Sequence, residues 1–200
     1  MQDAIDTHIR SVSRDNEHSD QLSADNNQLN ADQKRIVDKV VSSVCSYRQP
    51  QNVIVSGQGG TGKSRVIDIL NRHISAKVSD AHIPVVTAAR TEIAAFIIGG
   101  TTIHRLLSLP VEHGKPADYC RLKQQQLTLL RATLKGVRLL TIDEVSMVSS
   151  ITLLYIHMRL AEIMCSNPLF GGINIVFLQT FSSYHPLKAT NRSYLSLSLR

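Results

Sequence analysis

The stretch NVIVSGQGGTGKSRVIDIL, residues 52–70, decides the fold. NVIVS (52–56) is a short β-branched run, the mark of a buried strand. GQGGTGKS (57–64) follows at once, and a helical pattern then runs to about Ile74. A strand, a glycine-rich loop and a helix are the context in which G-x-x-x-x-G-K-[ST] cradles phosphate. Glycines let the backbone turn so that successive N–H groups point at one anion. The helix N-terminus adds its partial positive charge. Gly57, Gln58, Gly59, Gly60, Thr61, Gly62, Lys63 and Ser64 are therefore the expected cradle. Lys63 is expected to reach the β- and γ-phosphate oxygens, and the Ser64 hydroxyl to bind Mg²⁺.

The rest of the chain reads as alternating elements. IPVVTA (83–88), RLLTI (138–142) and INIVFL (173–178) are further strands. Ile36, Val37, Val40, Val41 and Val44 recur at helical spacing, with Asn30 or Asp32 placed to cap. RTEIAAFII predicts a helix closed by Gly99-Gly100, and TTIHRLLSL a short one capped by Thr101 or Thr102. Residues 120–134 and 151–164 complete the helices. Such alternation implies an α/β fold with a parallel sheet covered on both faces. Crossovers are right-handed, and ligands sit at the carboxyl ends of the strands. LLTIDEVSM places Asp143 and Glu144 at one such end. Acidic strand ends are common, but with a cradle upstream this one acquires a role. Asp143 is expected to hold Mg²⁺, and Glu144 to polarise an attacking water.

Two hundred residues suit one domain. Cys45, Cys120 and Cys165 are far apart, odd in number and without C-x-x-C spacing, which argues against a disulfide framework or a zinc site. No apolar run reaches membrane-spanning length and no apolar signal core opens the chain, so a soluble intracellular protein is expected. Residues 1–28 are polar, acid-leaning and aperiodic, and read as a disordered arm. The net charge of +6 permits nucleic acid as a partner without demonstrating it, because Lys188, Arg192 and Arg200 supply half of it from the last 22 residues.

Further stretches carry a resemblance. LNADQKRIV (29–37) resembles the adenine-reading Q motif of superfamily-1 DNA helicases, with Gln33 in the reader's place. VTAARTEIAAFIIGGTTIH (86–104) is similar to motif Ia of PIF-type DNA helicases, and IDEVSMVSSITLLYIHMRLAEI (142–163) to their motif II. FGGINIVFL (170–178) resembles the run into motif III. The resemblance spans 29–178 and implies a single RecA-like P-loop domain that takes ATP and Mg²⁺. It implies an ATP-driven 5′-to-3′ helicase acting on single-stranded DNA; apart from the resemblance, a monomer is the expected state. Repair, recombination and telomere maintenance, in the nucleus or mitochondrion, are the implied setting. Helicases of rolling-circle transposons share these motifs, so a mobile-element remnant is the second reading. Motif Ia touches the DNA backbone in this family, which makes Thr101, Thr102 and His104 candidate strand contacts. GGTTIH offers N–H groups and hydroxyls that suit phosphate oxygens. The competing reading has a threonine capping a helix and His104 packing in the fold. Phe96 is able to stack on a base, but amid apolar helix residues a core position is expected. One departure stands out: TAARTEIAA replaces the family's TAPTGIAA, losing a proline and a glycine.

After Leu178 the pattern collapses into QTFSSYHPLKATNRSYLSLSLR. The family strand runs into GDFLQLPPV, whose aspartate and glutamine sense the γ-phosphate. Codons read one step out of frame from Gln179 onward permit DFLQLPPV. Residues 179–200 are thus expected to be a frame-slipped copy of motif III, solvated or disordered rather than a DNA-binding arm. A second RecA-like domain with its arginine finger is not expected within these 200 residues. A fragment that binds nucleotide without turnover is therefore the alternative function.

Overall fold

The computed structural model describes residues 29–46, 49–78, 84–110, 118–180 and 195–199, and the expected arm at 1–28 lies outside them. The elements follow as α1 (Ala31–Cys45), β1 (Asn52–Gly57), α2 (Lys63–Lys77), β2 (Val85–Ala89) and α3 (Glu92–Ile97). After them come β3 (Thr101–Thr102), α4 (Ile103–Leu107), α5 (Gln124–Thr133), β4 (Leu139–Asp143) and a 3-10 turn at Val145–Met147. Then α6 (Ser150–Met164), a second 3-10 turn (Leu169–Gly172), β5 (Asn174–Thr180) and β6 (Leu195–Leu199) close the described chain. The six strands form one parallel sheet in the order β3-β2-β4-β5-β1-β6.

Alternation along the central strands divides the core in two. Val53 and Val55 of β1 and Val176 and Leu178 of β5 face α1 and α2. Ile54, Ile175 and Phe177, one residue out of step, face α4 to α6. Both faces are apolar because both are covered, as a parallel sheet requires. Asn30 caps α1 in a full capping box with Gln33, which fixes where that helix begins.

Three expectations are corrected. The helix read as starting at residue 120 begins at Gln124, because the preceding segment is extended and tied to α6. The Glu162 carboxylate accepts from the Tyr119 hydroxyl at 2.8 Å and from the Leu122 N–H at 3.1 Å. Buried Arg159 donates to the Cys120 carbonyl at 2.9 Å. Burial and that bond to Glu162 push the Tyr119 hydroxyl up to about 12, so it stays a donor at neutral pH. Second, Phe96 is 86% exposed rather than in the core. The short α3 buries only Ala94 and Ala95, against Ala89, and its larger residues turn outward. Third, the tail is not solvated throughout. Strand β5 continues through Gln179 to Thr180, and β6 pairs in parallel with β1. LSLSL alternates with period two, and Leu197 and Leu199 pack with the core cluster of α1 and α2. Residues 181–194 lie outside the described residues.

Candidate nucleotide-binding site

The carboxyl ends of β1, β4 and β5 converge on one cleft of about 650 Å³. Gly60, Gly62, Lys63 and Ser64 line one wall, Asp143 and Glu144 another, and Thr91 and Thr180 the rim. Gly57 ends β1 and is buried, while Gln58, Gly59 and Gly60 form the exposed crest of the loop. Gly60 and Gly62 take φ of +80° and +81°, the left-handed region that favours glycine. The Thr61 hydroxyl donates to the Gln58 carbonyl at 2.8 Å and closes the turn.

Lys63 opens α2 and is buried. Its ammonium donates to the carbonyls of Gly57 at 2.9 Å and Gln58 at 2.7 Å, which sets it at the mouth of the loop. Burial pushes the ammonium below the usual lysine range, and the Asp143 carboxylate pulls it partway back. Burial likewise pushes the Asp143 carboxyl up, opposed by the N–H of Glu144 and by Lys63 and reinforced by the Glu144 charge. Asp143 Oδ1 accepts that N–H at 2.8 Å. Glu144 itself takes φ +53° and ψ +37°, a conformation that a non-glycine residue adopts at a cost. The Thr91 hydroxyl donates to Glu144 Oε2 at 3.3 Å while accepting the Ala94 N–H as the cap of α3.

Ser64 and Asp143 offer the hydroxyl and carboxylate oxygens that suit a hard divalent cation. A magnesium site of this kind takes one or two protein oxygens and fills the rest with phosphate and water. The donor set therefore fits the ion.

Gln33 stands against the loop: its Nε2 donates to the Thr61 carbonyl at 3.0 Å. The strand-contact candidates divide. Thr102 is buried, and its hydroxyl accepts the Arg105 N–H at 3.4 Å as the cap of α4. Thr101 and His104 are half-buried. The structure adds Thr91 and Thr180, which sequence reasoning left out. A threonine ahead of Glu92 carries a capping signal for Thr91, whereas Thr180 sat in a stretch read as aberrant.

The PIF1-like helicase family matches residues 28–198, past Leu178 and through most of the tail. The chain belongs to the PIF1-like helicase family. The ATP-dependent DNA helicase RRM3 of Saccharomyces cerevisiae is 30% identical over 159 residues, 80% of this chain and 21% of that protein. Unliganded Pif1 from Bacteroides superposes with a TM-score of 0.60 at 26% identity, covering 83% of this chain and 34% of that one. The Bacteroides Pif1 complex with ADP-AlF3 and ssDNA gives 0.55 at 25% identity, over 76% of this chain and 32% of that one. The chain thus spans about a fifth of the curated relative and about a third of the solved ones.

Proposed function

We propose that this PIF1-like chain is the nucleotide-binding motor domain of an ATP-dependent DNA helicase. The observation that carries the reading is the convergence of the phosphate loop with Asp143 and Glu144 in one cleft. Loop N–H groups and Lys63 hold the phosphate chain, and Ser64 and Asp143 hold Mg²⁺. Mg²⁺ held there would supply neutralisation of charge on the phosphate oxygens. Glu144 is the general base. Thr91 fixes one of its carboxylate oxygens, and the carboxylate keeps capacity for a water proton. The water oxygen bonds to the γ-phosphorus and the bridging bond to the β-phosphate breaks. The proton passes to Glu144, leaving ADP and inorganic phosphate.

Single-stranded DNA is the proposed partner, along the face formed by α3, Thr101 and His104. The finer assignments are 5′-to-3′ polarity, repair, recombination and telomere maintenance, and a nuclear or mitochondrial setting. Gln33 is the proposed adenine reader. Residues 179–200 are read as a frame-slipped stretch that begins with a displaced copy of motif III. A transcript whose shifted frame across Leu178 lacks DFLQLPPV refutes that reading.

The test is steady-state ATP hydrolysis with and without single-stranded DNA, for the wild-type chain and Lys63→Ala. DNA-stimulated turnover, lost in the variant, is the expected result. Nucleotide binding without turnover supports the second reading, a motor domain silent without its remainder. A chain that binds no nucleotide refutes both.

A further inference from the structure

Gln33 does more at this site than face a base. We infer that it is a positioning residue that braces the phosphate loop, so that loop geometry depends on Gln33 even when no base is bound. This rests on reading the cleft as a nucleotide site.

Three observations carry it. The Gln33 side chain is 7% exposed, so its amide is held in place rather than waiting in solvent. Its Oε1 accepts the Asn30 N–H at 3.0 Å, which locks the side chain to the start of α1. Its Nε2 donates to the Thr61 carbonyl at 3.0 Å, across 28 residues of sequence. Gly62, next in the chain, leaves room for this approach: a Cβ there would stand 2.5 Å from Gln33 Nε2.

The consequence follows from peptide geometry. In a trans peptide the C=O and the next N–H point in opposite directions. Holding the Thr61 carbonyl toward Gln33 therefore aims the Gly62 N–H away from it, toward the cleft that Gly62 lines. That N–H is one of the donors a phosphate would use. Without the brace, a glycine with positive φ is free to rotate the peptide, and the donor is no longer pre-aimed. The amide keeps one further proton on Nε2 and one further lone pair on Oε1. Those suit the paired donor and acceptor on an adenine edge. One amide thus touches base and loop together.

Base-free inorganic tripolyphosphate separates the two roles. Its affinity with Mg²⁺ is measured by displacement of a fluorescent nucleotide, beside ATP and GTP, for wild type, Gln33→Ala, Gln33→Glu and Asn30→Ala. Asn30→Ala removes the same helix cap and keeps the Thr61 contact. Gln33→Glu keeps the capping box and loses the donor, so it folds even if Gln33→Ala does not. The expected result for both Gln33 variants is a loss of about fivefold to tenfold for tripolyphosphate and GTP, and a larger loss for ATP, whose base the same amide reads. Asn30→Ala is expected to stay within about twofold for all three while melting earlier. Unchanged tripolyphosphate affinity beside weakened ATP binding overturns the brace and leaves a base reader. Equal losses in Asn30→Ala also overturn it, because the helix cap alone then accounts for the effect. A wild-type chain that binds none of the three overturns the nucleotide site itself.

Discussion

Replacing Arg159 with methionine isolates the polar clasp that holds the extended segment before α5 against α6. The guanidinium carbon lies 4.9 Å from the centre of the Tyr119 ring, and the Arg159 side chain is only 1% exposed. Its Nη1 meets Glu162 Oε2 at 2.8 Å, and its Nη2 donates to the carbonyls of Cys120 at 2.9 Å and Ser108 at 3.4 Å. Breaking a buried pair by removing one partner costs roughly 3–5 kcal/mol. Glu162 is 16% exposed and keeps its bonds from Tyr119 and Leu122, so water and those donors shelter the orphaned carboxylate. Methionine retains most of the apolar stem. The low end applies, about 3 kcal/mol, with the two freed carbonyls accounting for much of it. Urea unfolding at neutral pH reads the loss as a lower midpoint with an unchanged slope. Glu162→Gln alone should cost a similar amount, and the double variant less than the sum of the singles. A loss below about 1 kcal/mol for Arg159→Met would refute the clasp as a stabilising element.

Other consequences are open to measurement. Leu199→Asp places a carboxylate where Leu199 packs against Gly57 and the α1–α2 core. It should destabilise by about 2–3 kcal/mol in thermal melts, and wild-type stability in that variant would mean β6 is dispensable. Phe96→Ala should leave stability within about 0.5 kcal/mol while weakening single-stranded DNA by roughly 1–3 kcal/mol, read by fluorescence anisotropy. Unchanged affinity removes Phe96 from the strand path. Asp143→Asn should raise the melting temperature near pH 8. The sign follows from the raised Asp143 carboxyl. A folded-state value above the unfolded one favours folding at low pH, and that contribution is lost as pH rises through the folded value. The gain should therefore shrink toward pH 4, and a gain that grows on acidification contradicts the assignment.

Much of this fold is written in local pattern, and what escapes has physical reasons. NVIVS and the glycine loop announce β1, the cradle and α2 together because periodicity, turn chemistry and capping agree there. Strand β3 is two residues long, too short for any periodic signal. Phe96 misleads because IAAFII is apolar throughout, so it does not reveal which face α3 buries. Only the close approach of Ala94 and Ala95 to Ala89 decides it. LSLSL carries a clear period of two, yet nothing before it signals a strand that returns to pair with β1. The left-handed backbone of Glu144 is likewise invisible in the sequence, since it arises where β4 breaks off under a carboxylate that captures its own next N–H.

That geometry bears on why the cleft is built at a loss. Lys63 and Asp143 are shifted in opposite directions for the same first cause, burial; the Asp143 charge draws Lys63 partway back, and the Glu144 N–H and the Lys63 charge draw Asp143 partway back. A pair selected for stability would be better replaced by apolar side chains. Burial makes sense if the charges are completed by something else: an anion for Lys63 and a cation for Asp143. Polyphosphate should then raise the Lys63 ammonium back toward its usual range, and a divalent cation should lower the Asp143 carboxyl toward its own. The two ligands relieve opposite halves of one electrostatic penalty, so each should bind more tightly in the presence of the other. Neutralising Asp143 should weaken that mutual dependence before it abolishes phosphate binding, because the loop N–H groups and Lys63 remain.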